Sequence, residues 1–308
     1  MYGAVMGLAG LGLSARASAP VLPGVFRAPA YFTEPWVLFG AIALIILIPA
    51  YVVKVIRYPY AVQVDFTNPM LLGFCGALPV GMFLVGGGIG AYAPALGSAI
   101  WWIGFALLLA FQVWALSRWL SGSIDLAHVN AGWLIIMVGG IVAPGPGISL
   151  GHPDASRFIF GISASAAPIL MAILFYRAII GMPLPDALRP SWFILLVPPS
   201  LIYANGVALY PGADWLEALY FFGLALAAAL FFVSRRLLRW PFGAPWWAFT
   251  FPLDALAYAA ARYAQDHPAP LWKALCALTL LLATLFVALV LLRTVAAAIP
   301  RSVSSRPA

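Results

Sequence analysis

Ten long apolar stretches follow one another along the chain, at about 1–15, 36–56, 70–91, 95–117, 129–150, 156–180, 191–211, 214–236, 246–265 and 271–298. A helix of about 20 residues crosses a bilayer, and all but the first reach that length. The stretches alternate in kind. Those in odd positions hold 24 glycines and prolines, against 7 in the even positions. Proline removes a backbone donor and collides with the preceding turn, and in lipid a freed carbonyl is tolerated only against protein or a watery cavity. The odd helices therefore belong inside. The even helices, rich in Leu, Ile, Phe and Ala, can face lipid without exposing broken backbone. The pattern predicts an all-α membrane protein of ten transmembrane helices. They form five helical hairpins, with kinked odd helices lining a central pore and even helices outside, in a single transmembrane domain over 1–308.

Composition fixes the class independently. With 64% hydrophobic and 8% charged residues and a mean hydropathy of +1.01, a soluble globule is excluded. The formal charge of +7 then bears on topology rather than on nucleic acid. Eleven of the 16 basic residues fall in connections on the side of the N-terminus: Lys54, Arg57, Arg118, Arg177, Arg189, Arg235, Arg236, Arg239, Arg293, Arg301 and Arg306. Arg16, Arg27, Arg157, Arg262 and Lys273 fall on the other side. Both termini are expected in the cytoplasm, with the tail from Pro300 to Ala308 solvated there. The run Ala15-Arg16-Ala17-Ser18-Ala19 has the small residues of a cleavage site, but no basic stretch precedes it, so removal of a leader is not expected. The first stretch is short for a crossing; either it is kinked among protein neighbours or the true start lies upstream.

Polar residues offer little catalytic chemistry. Cys75 and Cys276 lie in separate apolar segments without metal or redox spacing, and His128, His152 and His267 are far apart, so neither metal nor cofactor is expected. With no convergent His, Cys or Ser cluster and no nucleotide motif, an enzyme is not expected either. Most acids have places at helix ends. Asp214-Trp215-Leu216-Glu217 has the spacing of a capping box, Asp154 is placed to cap the sixth segment, and Asn68-Pro69 joins a cap to a first-turn proline. Glu34, Asp65, Asp125, Asp186 and Asp266 fall in connections. Only Asp254 sits well inside an apolar segment, and no Lys or Arg lies near the middle of one. A permeant anion would then meet helix ends and hydroxyl or amide donors rather than fixed cations, which suits a channel or low-affinity conduit. In the ninth segment, helical spacing sets Trp247, Phe251, Asp254 and Tyr258 on one stripe. A ring beside the Pro252 kink can plug a passage, but by spacing alone Phe251 reads more readily as one of 20 packed phenylalanines.

The run Trp247-Ala248-Phe249-Thr250-Phe251-Pro252-Leu253 resembles the ninth helix of the tellurite-resistance/dicarboxylate transporter family, which includes bacterial TehA-like proteins, the guard-cell slow anion channels of plants and yeast malate transporters. Further matches are Met6-Gly7-Leu8-Ala9-Gly10-Leu11-Gly12, Asn68-Pro69 with Pro79, Asn130-Ala131-Gly132-Trp133 with Pro144-Gly145, and Leu184-Pro185 through Arg189-Pro190 to Pro198-Pro199. The resemblance implies passive conduction of small inorganic or organic anions through a pore in each subunit of a homotrimer, with links to tellurite resistance and C4-dicarboxylate transport. By position it makes Phe251 the gate, occluding the pore midway across the membrane. Gly7, Pro79, Pro144, Pro198 and Pro252 become candidate pore-lining or kink residues. The implied location is the bacterial inner (plasma) membrane, multi-pass, in contact with lipid. Asp254 leaves two readings open. It either turns sideways to bond a neighbouring helix, with Tyr258 and Arg262 stacked beyond it, or serves as the proton site of a proton-coupled carrier of malate-like dicarboxylates.

Overall fold

A computed structural model describes residues 2–23, 29–122, 124–235 and 239–298. Arg27, Arg236, Arg301, Arg306 and the tail from Pro300 to Ala308 lie outside the described residues. Helices α1 (Gly3–Ser18), α2 (Pro29–Arg57) and a short α3 (Pro59–Thr67) open the chain. Then come α4 (Pro69–Leu72), α5 (Ala77–Gly90), α6 (Pro94–Leu120), α7 (Gly132–Val138), α8 (Pro144–Ser149) and α9 (Pro153–Ile180). The last four are α10 (Val197–Leu209), α11 (Glu217–Val233), α12 (Thr250–Asp266) and α13 (Pro270–Ala298). No strand occurs among the described residues.

The glycine and proline count becomes visible as broken helices. Tight 3-10 turns at Gly73–Gly76, Gly139–Val142, Asp186–Leu196 and Ala244–Phe249 precede α5, α8, α10 and α12 respectively. Four of the five odd segments are thus interrupted at or before their middles, whereas α2, α6, α9 and α13 run unbroken through 27 to 29 residues. Freed backbone groups at the break before α8 are taken up by side chains from other segments. Gln112 Nε2 donates to the Met137 carbonyl (2.9 Å), Asn205 Nδ2 to that of Ile141 (2.7 Å) and Trp101 Nε1 to that of Ala143 (3.1 Å). Ser163 Oγ accepts from Gly140 N at 3.1 Å. This is how irregular backbone survives without water.

Burial separates the two classes as composition implies. Among the described residues eight helical segments are long and apolar enough to cross a membrane. In their most apolar windows 67% of Pro69–Gly90 and 78% each of Gly132–Ser149 and Asp186–Leu209 are buried, against 22–33% for the segments that alternate with them. Helices α1 and α12 fall outside those eight by length or composition, yet 11 of 16 and 13 of 17 of their residues are buried. The inner elements close on themselves: α1 packs on α5, α5 on α8, α8 on α10, α10 on α12, and α12 back on α1. Ile46, Ile103, Ile169, Phe232 and Leu285 of the outer helices are exposed, as side chains facing lipid tails would be.

Several local expectations change. The box at Asp214–Glu217 does not form: Asp214 begins a 3-10 turn capped at Ala213 without a side-chain bond, and Asp154 pairs with Arg157 instead of capping α9. Asn68 does cap α4, its Oδ1 accepting from Met70 N at 2.9 Å. Glu34 and Asp65 lie within α2 and α3 rather than in connections. The helix α3 itself had no counterpart in the apolar pattern, because its nine residues are far short of a membrane crossing.

Candidate functional site

Two cavities lie inside the ring of inner segments, and each inner segment contributes to both. The first, about 440 Å3, is lined by Tyr2 and Met6 of α1, Val80 of α5, Val138 of α7, Pro198 of α10 and Trp247 before α12, and also by Tyr51 and Lys54 of α2, Asp65 and Phe66 of α3 and Phe111 of α6. The second, about 330 Å3, is lined by the second halves: Gly10 and Ser14, Leu84 and Gly87, Gly145 and Ser149, Leu201 and Asn205, Asp254 and Tyr258. All five inner segments therefore run in the same direction. Among the described residues only Val142 and Phe251 line both cavities. Phe251 is 5% exposed, so its ring is packed rather than suspended in open space.

The fold holds Phe251 there through small residues on α1. A methyl group on Gly10 would come within 3.0 Å of Phe251 Cδ2 and 2.9 Å of Asp254 Oδ2, so the bare backbone makes room for both side chains. One turn earlier, a methyl on Gly7 would fall 2.0 Å from Thr250 Oγ1. Thr250 is itself fixed by donation to the Trp247 carbonyl at 2.8 Å. Close contact of α1 with α12, rather than a kink in α1, is thus what these glycines supply.

The candidate residues divide on this geometry. Pro198 and Pro252 line the first cavity, and Trp247, Phe251, Asp254 and Tyr258 line one cavity or both, as their shared stripe implies. Gly7, Pro79 and Pro144 line neither. Gly7 sits in an unbroken helix against Thr250, Pro79 follows the Gly73–Gly76 break with its carbonyl near Gly104, and Pro144 opens α8 directly after a break. Asp254 does not bond a neighbouring helix. It is 1% exposed and neither carboxyl oxygen has a hydrogen-bond partner among the described residues, while Arg262 pairs with Asp266 at 3.2 Å.

The basic side chains on the two linings are paired. Lys54 pairs with Asp65 at the first cavity, with the Tyr51 hydroxyl donating to Asp65 Oδ2 at 3.5 Å. At the second, Arg16 forks onto Glu34, its Nε donating to Oε1 at 2.9 Å, and also donates to the Gly88 carbonyl at 3.2 Å. These are the only Lys or Arg side chains on either lining among the described residues, and both are neutralised by a carboxylate. No group of three or more His, Cys, Asp and Glu suited to a metal ion occurs among the described residues. Sequence reasoning passed over Val142, Gly10, Asn205 and the Arg16–Glu34 pair. Asn205 was the most legible of them, as an amide inside an apolar segment.

The two cavities share Val142 and Phe251 on their linings, and relatives of this chain are named as channels and transporters. The family model for voltage-dependent anion channels, SLAC1, matches residues 1–295. This chain belongs to that family. Among SLAC1-family relatives, it is 26% identical over 249 residues to an uncharacterized transporter, MJ0762, of Methanocaldococcus jannaschii, covering 70% of each chain. It is 23% identical over 299 residues to the S-type anion channel SLAH3 of Arabidopsis thaliana, covering 96% of this chain and 47% of that one. With the guard cell S-type anion channel SLAC1 of the same plant it shares 25% over 239 residues, 75% of this chain and 43% of the channel. The chain thus spans under half the length of these plant channels.

Proposed function

We propose that this protein conducts small inorganic or organic anions passively across a membrane, through a pore within each subunit that the Phe251 ring closes. The observation that carries the reading is the position of Phe251 at the junction of two cavities lined by opposite halves of the same five segments. Ten membrane-crossing helices in five hairpins supply those segments, α1 and α12 included among them. The absence of unpaired cations on the described linings fits weak accommodation and fast release better than tight capture, since a fixed buried charge would hold the ion. Family membership supports transport over catalysis. The location is the bacterial inner membrane with both termini in the cytoplasm, which places the first cavity on the cytoplasmic side, and three subunits assemble within the lipid. Chloride, nitrate, C4-dicarboxylates and tellurium oxyanions are the candidate ions. Efflux from liposomes without a pH gradient tests the reading: shortening the side chain from Phe251 to Leu and then Ala raises the rate stepwise, and equal rates across the series exclude a ring gate.

A second reading, proton-coupled transport of malate-like dicarboxylates, is favoured by one observation: the buried, unpartnered carboxyl of Asp254 beside the ring. It requires uptake that a pH gradient drives and that Asp254→Asn abolishes. Uptake equal with and without the gradient rules it out.

A further inference from the structure

Arg293 belongs to the outer helix α13 and reaches the turn that leads into α12. It shares a stripe of α13 with Phe286 and Val290; Val290 is buried, and Phe286 packs on Phe249 with ring centroids 5.9 Å apart. The Arg293 guanidinium lies 4.7 Å from the Trp246 ring centroid and 5.1 Å from that of Phe242, and those two rings meet edge to face at 5.3 Å. Trp246 is fully buried, with Nε1 donating to the Pro241 carbonyl at 2.8 Å, so the seat is well fixed. Ring faces attract the charge but give the five N–H donors of a guanidinium no acceptor in its plane. Nη1 is buried and has no hydrogen-bond partner among the described residues.

No carboxylate is at hand to supply one. The chain holds no acid after Asp266 and none between Glu217 and Asp254, a stretch that carries Arg235, Arg236 and Arg239. Asp186, in the turn packed against Ala244–Phe249, is taken by Arg189 at 3.0 Å. Lipid, by contrast, is close. Leu292 and Val295, on either side of Arg293, are 68% and 52% exposed, and Arg293 itself is half-buried, so the guanidinium edge is open to the outer face. It stands about 8 Å along the helix from the end of α13 at Ala298. Trp247, beside the Trp246 seat, lines the first cavity, so the guanidinium lies at that end of the molecule. A phosphate supplies what is missing, oxygens that a guanidinium fork can engage and a charge to match it. We propose that Arg293, on its seat of Trp246 and Phe242, binds the phosphate of an acidic glycerophospholipid in the leaflet at the first-cavity end. The phosphate accepts from the guanidinium edge while both rings keep the cation in place, and the bound lipid steadies the turn before α12. No covalent bond changes, and the site does not depend on Phe251 being a gate.

The test is thermal unfolding of the detergent-solubilised full chain, titrated with dioctanoyl phosphatidylglycerol, with dioctanoyl phosphatidylcholine at the same mole fractions, or with inorganic phosphate at fixed ionic strength. Phosphatidylglycerol is expected to raise the midpoint saturably and the other two to leave it unmoved. Arg293→Gln raises the half-saturating mole fraction about tenfold, as loss of a charge-assisted hydrogen bond would. Arg118→Gln, which removes an exposed arginine in the last turn of α6, leaves it unchanged. Should Arg293→Gln not fold, Arg293→Lys decides: it keeps the charge, loses the fork and is expected to weaken the response about threefold. Equal responses to the two lipids, no response to phosphatidylglycerol, an undiminished response in the Arg293 variant, or an equal loss in Arg118→Gln overturns the site. A saturable rise with inorganic phosphate overturns the lipid as its occupant.

Discussion

In the proposed pore the ring of Phe251 stands between two cavities of a few hundred Å3, and the residues packed closely beside it include glycines, which have no side chain. Gly7 and Gly73 illustrate two kinds of tightness. A methyl on Gly7 would stand 2.0 Å from Thr250 Oγ1 and 2.6 Å from its Cβ, so a side chain and its helix must shift, whereas a methyl on Gly73 would stand 2.3 Å from the carbonyl carbon of Gly132, part of a neighbouring backbone. Overpacking of the first kind costs about 1–3 kcal/mol, and the second has no cheap relief. Gly7→Ala is accordingly expected to lower the unfolding midpoint and still yield folded protein, while Gly73→Ala loses more than about 3 kcal/mol and yields little. Comparable midpoints for the two in detergent would show that the backbone contact at Gly73 is not as rigid as drawn. The stripe of Trp247, Phe251, Asp254 and Tyr258 was legible from spacing, because offsets of three and four share a helix face. The freedom of Asp254 was not, because a partner for a carboxylate is a matter of three-dimensional neighbours.

Among elements, the breaks and their repair carry the architecture. Glycine and proline counts foretold the breaks in the third, fifth and seventh segments, since these residues act on the backbone of their own turn, but not that α1, with four glycines, runs unbroken while the ninth segment breaks with one proline. They did not foretell who would satisfy the freed groups: Gln112, Ser163 and Asn205 come from three other segments to serve the turn at Gly139–Val142. Gln112→Leu leaves the Met137 carbonyl without its donor in a low dielectric. Interhelical hydrogen bonds in membranes average below the usual cost of an unsatisfied buried group, so the expected loss is about 1 kcal/mol, read as a lower midpoint with an unchanged anion selectivity. A selectivity change would mean that the break itself shapes the conduit. The capping box at Asp214 misled for a related reason: its spacing was right, but a 3-10 turn holds the donors out of reach.

For the whole molecule, the alternation of segment types became a ring of buried segments inside a layer of exposed ones, and the basic residues at the sequence level set a direction for it. If that direction holds, the second cavity faces away from the cytoplasm. Ser149 lines it, is exposed, and is a fit reporter. In Ser149→Cys, with Cys75 replaced by Ala, a membrane-impermeant thiol reagent is expected to label from outside intact cells; labelling from the cytoplasmic face alone would invert the topology. The central claim is that the ring of Phe251 is what stands between the two cavities. Planar-bilayer current at matched reconstitution, without a pH gradient, tests it most directly in the unmodified protein and in Phe251→Ala. The account predicts small or no current in the first and large, anion-selective, passive current in the second; folded Phe251→Ala protein that passes no more current than its parent would contradict it.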